Sequence, residues 1–231
     1  MLISEIFHSI QGEGKLAGVP SVFVRTSGCN LRCWFCDTPY ASWQPEGTAR
    51  TWEDVFEEVL SHQCQHVIIT GGEPFLQNEI VPLAAALAKE RIHITVETAG
   101  TLYLPITANL MSISPKLSNS IPHDDSVWNT KHDKRRDQPD VIRKMVNEYA
   151  CQFKFVIDTP DDLTDVIAYL ERFPEIAKED VMLMPQALTA EEIQEKTPWL
   201  QQAANNYGLS LSPRLHIEMW GNVRGEQKKV L

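Results

Sequence analysis

The sequence has no long hydrophobic run and no excess of positive charge. None of its apolar stretches approaches the ~20 residues that a membrane-spanning helix needs, and the amino-terminal residues lack the charged and apolar regions of a signal peptide. Its 21 Lys and Arg and 31 Asp and Glu give a net charge of −10, which disfavours a surface for nucleic acid or anionic membrane. We therefore expect a cytoplasmic protein that acts on a small molecule and binds neither nucleic acid nor membrane.

The chain also lacks the paired cysteines of a disulfide framework. It has five cysteines, an odd number, and three of them are clustered at Cys29, Cys33 and Cys36. This distribution favours metal ligation in a reducing compartment. Cys64 and Cys151 lie beside apolar or strand-like segments, and we predict that they are ordinary buried residues.

The C-x3-C-x2-C spacing of the cluster offers three thiolates, one fewer than a closed metal site uses. A structural zinc ion or an electron-transfer iron–sulfur cluster normally takes four protein ligands. A site with three protein ligands leaves one coordination position for another molecule. The spacing therefore predicts a metal site that takes part in chemistry.

Short β-branched runs alternate with helical patterns along the chain, whose 231 residues are 43% hydrophobic. We predict strands over residues 21–25, 66–70, 92–97, 110–114, 152–157 and 181–184. We predict helices beginning near residue 51 and over residues 78–88, 139–149, 161–172 and 189–206. The alternation indicates an α/β fold with a parallel sheet, and the length predicts a single domain over residues 1–231.

Polar motifs follow four successive predicted strands. They are the cysteine loop, Gly71-Gly72-Glu73-Pro74, Glu97-Thr98-Ala99-Gly100 and Ser114-Pro115-Lys116. Active-site residues lie at the carboxyl ends of parallel strands in such folds, so we expect these motifs to form one site. The stretch at about residues 119–138 is polar and has no hydrophobic period, and we interpret it as an insertion, either a lid or a surface excursion.

The cysteine loop, with Phe35 before its last cysteine and Gly-Gly-Glu-Pro after the next strand, resembles the radical S-adenosylmethionine superfamily. The resemblance implies a partial (β/α)6 barrel with parallel strands. It also implies one 4Fe-4S cluster held by Cys29, Cys33 and Cys36, with S-adenosylmethionine on the open iron. The cofactors would carry the radical, so no catalytic side chain is assigned.

Cofactor contacts are carried over onto positions of this sequence that match the superfamily motifs. The expected S-adenosylmethionine contacts are Phe35, Cys36, Asp37, Gly71, Gly72, Glu73, Gly100, Ser114, Pro115 and Lys116. Phe35 is expected against the adenine ring, although core packing under the loop is the alternative. Glu73 either contributes charge or caps the following helix.

The amino-terminal segment is similar to the start of the 7-carboxy-7-deazaguanine synthase family, and Gln11-Gly12-Glu13-Gly14 is its discriminating piece. Further matches reach Leu215-His216-Ile217-Glu218, so the resemblance spans nearly the whole chain. It implies ring contraction of 6-carboxy-5,6,7,8-tetrahydropterin to 7-carboxy-7-deazaguanine with loss of ammonia, in the biosynthesis of queuosine.

The resemblance also implies the residues around the substrate. Substrate contacts are expected at Ile10, Gln11, Gly12, Glu13, Arg25, Thr98 and His216. A magnesium ion is expected to touch the Thr38 hydroxyl and the substrate carboxylate, in line with the preference of Mg²⁺ for oxygen ligands and water. An interior ion pair is the alternative for Arg25, and a structural role is the alternative for His216.

The resemblance further implies an electron donor such as flavodoxin or ferredoxin, and a homodimer. The chain departs from the family pattern at Met184-Pro185-Gln186, so no cofactor contact is assigned there. It also continues past Trp220-Gly221 as a tail over residues 222–231, whose relation to the site is left open.

Two other functions are compatible with the cysteines. An activating enzyme for a glycyl-radical protein would use the same spacing, but it would not need the Gln11-Gly12-Glu13-Gly14 segment or Thr38 for magnesium. In a different class, the three cysteines and a histidine would form a structural zinc site in a binding module.

Overall fold

The computed structural model describes residues 1–227, and its centre is one nine-stranded sheet. Along the sheet the strands run in the order β3-β1-β2-β4-β5-β6-β7-β8-β9. Their bounds are β1 Leu2–Ile10, β2 Pro20–Thr26, β3 Thr48–Ala49, β4 His66–Gly71, β5 His93–Thr98, β6 Leu110–Ile113, β7 Cys151–Ile157, β8 Val181–Pro185 and β9 Ser210–Leu211.

The sheet is parallel from β2 to β9, with Val22 of β2 opposite Val67 of β4 and Phe153 of β7 opposite Val181 of β8. Only the β1 pairings, with β2 and β3, are antiparallel within the described residues. The two edge strands β3 and β9 do not pair with each other there, so the barrel stays open. The predicted α/β fold with a partial barrel of parallel strands is confirmed.

Helices cover the outside of the sheet. Their bounds are α1 Trp52–Ser61, α2 Ile80–Lys89, α3 Ser126–Arg136, α4 Pro139–Glu148, α5 Asp162–Arg172, α6 Ala190–Tyr207 and α7 Leu215–Trp220. Local signals set several ends: the Thr189 hydroxyl and the Glu192 carboxylate form a capping box at the start of α6, and Gly208, at φ +70°, ends it. These signals explain why the predicted helices lie close to their observed bounds.

The main core lies between the sheet and these helices. Val67 and Ile69 of β4 and Leu83 and Leu87 of α2 are fully buried in it. Because its outer face packs on helices and its inner face lines the barrel, the parallel sheet has no solvated side, and its strands consist of continuous apolar runs.

Five strands and helices were not predicted, namely β1, the two-residue strands β3 and β9, and the helices α3 and α7. Strand β1 alternates strictly between buried and half-buried positions, but its buried face includes Glu5 and Ser9, which hides the hydrophobic alternation. Helix α3 falls inside the segment at 119–138, for which no helical period was seen. It buries His132 instead of an apolar stripe, and Asp125 caps its first turn.

Within residues 1–227, no helix is both long and apolar enough to cross a membrane. Asn222 and Val223, at the start of the tail, line the large cavity that the next section describes. Residues 228–231 of that tail lie outside the described residues.

Candidate active site

A cavity opens at the carboxyl ends of the parallel strands, where the four polar motifs meet. Most of the predicted site residues line it, namely Ile10, Gln11, Gly12, Glu13, Arg25, Cys29, Cys33, Phe35, Cys36, Asp37, Thr38, Gly71, Gly72, Thr98, Ser114, Lys116 and His216. Glu73, Gly100 and Pro115 are absent from its lining. The topology thus brings together residues that are spread over more than 200 positions of the sequence.

The cysteine loop after β2 presents Cys29, Cys33 and Cys36 to the cavity, and all three are free thiols. Hydrogen bonds tie the loop to neighbouring segments: the Asn30 side chain donates through Nδ2 to Thr101 Oγ1 at 3.0 Å, and Trp43 Nε1 donates to the Cys33 backbone carbonyl at 2.9 Å. These bonds fix the loop from two sides.

The donor set of this loop fits an iron–sulfur cluster better than a single ion. Three thiolates on one tetrahedral zinc ion lie within about 4 Å of one another. Among the described residues, the ligand groups that approach within 4.8 Å of each other are Glu13, Asp37 and His216, and no cysteine belongs to that set. The three described sulfurs therefore do not all lie within 4.8 Å of one another, and such a spacing suits a cluster that spans several iron atoms.

Burial raises the pKa of Cys29 to about 12 and also raises that of Cys33. Each thiol would therefore release its proton to solvent as the metal binds, because the thiolate is the ligand and the metal charge stabilises it.

The Gly-Gly-Glu segment after β4 is packed against the cysteine loop. A Cβ atom on Gly72 would collide with the Gly28 and Ala41 carbonyl oxygens, so only glycine permits this approach. The Glu73 side chain is buried behind the cavity wall and accepts hydrogen bonds from Thr98 Oγ1 at 2.8 Å and Ala99 N at 2.9 Å. Glu73 therefore connects the ends of β4 and β5.

The two other predicted residues outside the cavity lining also support its walls. Gly100 is at φ +72°, and a Cβ atom there would collide with Ile142 of α4. Pro115 lies between Ser114 and Lys116, which both line the cavity. Lys116 Nζ donates to Ser114 Oγ at 2.6 Å and to the Ser114 carbonyl at 2.7 Å, so the two polar groups are held as one unit.

Arg25 lines the cavity and also forms an interior ion pair. Its side chain lines the cavity, and its Nε donates to Glu5 Oε1 at 2.7 Å. The Tyr40 hydroxyl donates to the same carboxylate oxygen at 2.8 Å. Glu5 and Tyr40 were not predicted as site residues, and they orient the guanidinium.

A buried charge network surrounds Glu13. Lys154 Nζ lies 2.7 Å from Glu13 Oε2, Arg214 Nε lies 3.3 Å from Glu13 Oε1, and His216 Nε2 lies 3.9 Å from the same oxygen. Burial alone would raise the pKa of Glu13, but the charges of Lys154 and Arg214 outweigh it and hold the pKa well below its usual range. Glu13 is thus a carboxylate throughout the neutral range.

Gly12 allows the approach of His216 to this network. A Cβ atom on Gly12 would collide with the His216 ring, and the Leu215 backbone N–H donates to the Gly12 carbonyl at 3.0 Å. The glycine thus holds the start of α7 against the loop after β1.

Lys154 extends the network across the cavity. Its Nζ also lies 3.1 Å from Glu97 Oε1, which accepts a hydrogen bond from Gln11 Nε2 at 3.2 Å. Thr70 Oγ1 donates to the other oxygen, Glu97 Oε2, at 3.0 Å.

Lys154 and Arg214 are the main site residues that the sequence does not predict. A lysine in the apolar strand Gln152-Phe153-Lys154-Phe155 was the available signal, because a buried lysine requires acidic partners.

Asp37 and Thr38 end the cysteine loop, and both line the cavity. Arg214 Nη2 lies 2.6 Å from Asp37 Oδ2. Burial raises the pKa of Asp37, but Arg214 more than compensates and lowers it. The guanidinium thus lies between Asp37 and Glu13 and already supplies a positive charge to both carboxylates.

An open parallel barrel whose cavity presents three cysteines from the loop after β2 defines the radical S-adenosylmethionine class. The Radical SAM superfamily model matches residues 23–114. QueE from Escherichia coli has a similar fold, with a TM-score of 0.70 at 22% identity over 91% of this chain and 92% of that one. SuiB from Streptococcus suis, solved bound to S-adenosylmethionine, matches with a TM-score of 0.58 at 14% identity over 82% of this chain and 48% of that one.

Relatives by sequence specify the family. The 7-carboxy-7-deazaguanine synthase of Rhodopirellula baltica is 44% identical over 97% of this chain and 88% of its own length. That of Halobacterium salinarum is 40% identical over 95% of this chain and 90% of its own. The chain belongs to the 7-carboxy-7-deazaguanine synthase family. As a radical SAM enzyme it uses a 4Fe-4S cluster and S-adenosylmethionine.

Proposed function

We propose that this chain converts 6-carboxy-5,6,7,8-tetrahydropterin to 7-carboxy-7-deazaguanine with release of ammonia, in queuosine biosynthesis. The observation that carries the proposal is the ionised Glu13 carboxylate, which Lys154 and Arg214 hold in the cavity that also contains the three cysteines. A pterin presents adjacent N–H donors on its amino edge, and a fixed carboxylate accepts them in pairs. The same cavity therefore places a group that recognises the pterin beside the thiols that hold the cluster.

In this proposal Cys29, Cys33 and Cys36 hold the cluster, which together with bound S-adenosylmethionine supplies a 5′-deoxyadenosyl radical. Ser114 and Lys116 contact the cofactor as a joined hydroxyl and ammonium. Phe35, Asp37, Gly71 and Gly72 line the same cavity, whereas Glu73, Gly100 and Pro115 act by shaping its walls.

The remaining cavity residues bind and orient the substrate. Arg25, oriented by Glu5, faces a carboxylate or a ring oxygen, because a guanidinium presents a planar set of donors to such groups. Gln11 is held by Glu97 and contributes to the same wall, together with Ile10, Gly12, Thr98 and His216. These groups exclude water from the pterin and fix which of its atoms faces the cofactor.

We assign magnesium to the Thr38 hydroxyl and the substrate carboxylate. Glu13, Asp37 and His216 are close enough together to hold a cation, but Arg214 lies between the two carboxylates and pairs with both. Thr38 Oγ1 lies 3.8 Å from the Cys36 sulfur, so an ion there would adjoin the cluster loop. A hydroxyl, substrate oxygens and water make a suitable set for Mg²⁺.

The electron donor in this proposal is a small acidic redox protein such as flavodoxin or ferredoxin. Helix α3 exposes Lys131, Lys134 and Arg135 beside the cysteine loop, and Arg135 Nη1 donates to the Asn30 carbonyl of that loop at 3.1 Å. On a chain of net charge −10, this local basic surface favours an acidic partner at the position from which an electron reaches the cluster.

The proposed enzyme is a single-domain homodimer of the cytoplasm, where the five free cysteines stay reduced.

The test is an anaerobic incubation of the reconstituted enzyme with reductant, S-adenosylmethionine, magnesium and the carboxytetrahydropterin. We expect 7-carboxy-7-deazaguanine and ammonia by chromatography and mass spectrometry. Release of 5′-deoxyadenosine without the deazaguanine would retain the radical chemistry and refute the substrate. A protein that takes up zinc but no iron or sulfide would refute the cluster as well.

A further inference from the structure

The segment from Leu117 to α3 is packed against the cysteine loop, as three hydrogen bonds show. The Trp34 backbone N–H donates to the Ser120 carbonyl at 3.3 Å, and Trp34 Nε1 donates to the Asn119 carbonyl at 2.7 Å. Arg135 adds its bond to the Asn30 carbonyl. Each bond joins the segment to a residue next to a cluster cysteine.

His132 is the buried centre of this contact, with no exposed surface. Its Nδ1 accepts a hydrogen bond from the Arg32 backbone N–H at 3.1 Å, and its Nε2 lies 2.9 Å from Ser120 Oγ. The Ser120 hydroxyl donates to the Leu117 carbonyl at 2.7 Å, so it accepts from the histidine. The imidazole is therefore neutral and carries its proton on Nε2.

The neutral state agrees with the surroundings of the ring. Burial, reinforced by the nearby Arg136 and Lys116 charges, lowers the pKa of His132 to about 4. The Arg32 guanidinium lies over the Trp128 ring of α3, 4.3 Å from its centroid, and its Nη1 donates to the Cys29 carbonyl at 2.8 Å. The backbone and the side chain of Arg32 are thus both held by α3.

We infer that His132 is a positioning residue for the iron–sulfur cluster: its Nδ1 fixes the backbone N–H of Arg32 and so holds Cys33 and Cys29 in their ligating arrangement. The bonded N–H belongs to the peptide group between Leu31 and Arg32, and a rotation of that group would displace Arg32. Cys33 directly follows Arg32, and the Arg32 guanidinium donates to the Cys29 carbonyl, so both cysteines would move with it. Groups that orient metal ligands are often bound in this way by a second layer of hydrogen bonds. The inference requires that the chain holds the cluster, and it does not depend on the pterin reaction.

Two substitutions separate the hydrogen bond to Arg32 from packing. In His132→Asn the side-chain oxygen takes the place of Nδ1 and keeps an acceptor for the Arg32 N–H. In His132→Gln the longer amide reaches the place of Nε2, which keeps the Ser120 contact and leaves the Arg32 N–H without its acceptor. Val127→Ala changes an exposed side chain of the same helix and is the matched control.

The measurements use the full chain after anaerobic reconstitution: iron and sulfide per chain, and the decay of the cluster absorbance on exposure to air. A buried donor without a partner is unfavourable, so we expect cluster loss about tenfold faster in His132→Gln than in the unsubstituted protein. His132→Asn should remain close to the unsubstituted protein, as should Val127→Ala. Thermal unfolding of the cluster-free variants is measured in parallel.

Equal cluster lifetimes in the Gln and Asn variants would overturn the inference, whether both are slow or both are fast, because the acceptor would then not matter. A lower unfolding temperature of cluster-free His132→Gln with an unchanged cluster lifetime would also overturn it, by making His132 a structural residue of the insertion. If the unsubstituted chain forms no cluster at all, the cluster assignment itself fails, and that result is distinct from either outcome.

Discussion

Lys154 Nζ lies 2.7 Å from Glu13 Oε2, and this contact joins the middle of β7 to the loop after β1 across the cavity. Burial would lower the pKa of Lys154, but the Glu13 and Glu97 carboxylates raise it above its ordinary value. The ammonium is therefore charged throughout the neutral range, and it fixes both carboxylates. Removal of one partner leaves a buried charge uncompensated, which is the basis of the first prediction.

Lys154→Met should reduce kcat/KM for the carboxytetrahydropterin by about 100-fold, since truncation of a buried charge pair costs about 3 kcal/mol. Cluster content should not change, because Lys154 contacts none of the cysteines. Steady-state kinetics and iron analysis measure the two effects. Lys89→Met, at an exposed position on α2, is the control and should behave like the unsubstituted enzyme. Loss of the cluster in Lys154→Met would show that the lysine supports the fold of the site instead of the substrate.

The cysteines give a prediction with an internal control. Cys33→Ala should abolish cluster assembly and 5′-deoxyadenosine release, because two thiolates do not replace the three that the cluster requires. Cys64→Ala should retain both, because the Cys64 thiol faces the Pro20 and His66 carbonyls, away from the cavity. Absorbance and iron content after reconstitution distinguish the variants. Turnover by Cys33→Ala would refute the ligand assignment.

The parts of this protein that the sequence predicts are those with local signals. Six parallel strands are visible as β-branched runs, and Cys29, Cys33 and Cys36 all lie in one short segment of the sequence. The motifs at strand ends converge because parallel topology places those ends at one edge. This reasoning yields the fold class and most of the cavity.

The site residues that the sequence does not predict are those whose contact partners are distant in sequence. Glu13 and Lys154 are 141 positions apart, and nothing near either residue indicates the other. Arg214 lay in none of the recognised motifs, although it pairs with both Glu13 and Asp37. Helix α3 was missed for a related reason, since a buried histidine with two hydrogen bonds replaces the apolar stripe that periodicity detects.

His66 leads to a prediction about stability and pH. Its Nδ1 lies 2.7 Å from Ser21 Oγ and its Nε2 lies 2.9 Å from Thr95 Oγ1, and burial, with a smaller effect of His93, lowers its pKa from 6.5 to about 4. Between these values the unfolded chain binds a proton that the folded chain does not, so the free energy of unfolding falls as the pH falls.

In His66→Asn this part of the acid sensitivity should disappear. Between about pH 6.5 and pH 4.5, we expect the variant to lose about 2 kcal/mol less of its unfolding free energy than the unsubstituted chain. Urea unfolding of the cluster-free chain at several pH values measures the difference. His123→Asn, at an exposed position, is the control and should keep the original slope. Equal slopes in all three proteins would mean that His66 titrates alike in the folded and unfolded states.

Thr38 provides the test of the magnesium assignment. Thr38→Ala removes the only side-chain oxygen that the proposal gives to the ion, so the magnesium concentration for half-maximal turnover should rise about tenfold, as expected for one lost ligand contact of about 1.4 kcal/mol. Thr38→Ser keeps the hydroxyl and should stay close to the unsubstituted enzyme. Because Thr38 Oγ1 also lies 3.8 Å from the Cys36 sulfur, the cluster absorbance must be recorded with each magnesium titration. An intact cluster with weakened magnesium dependence in the alanine variant supports the assignment, whereas loss of the cluster would make the threonine a support of the cysteine loop.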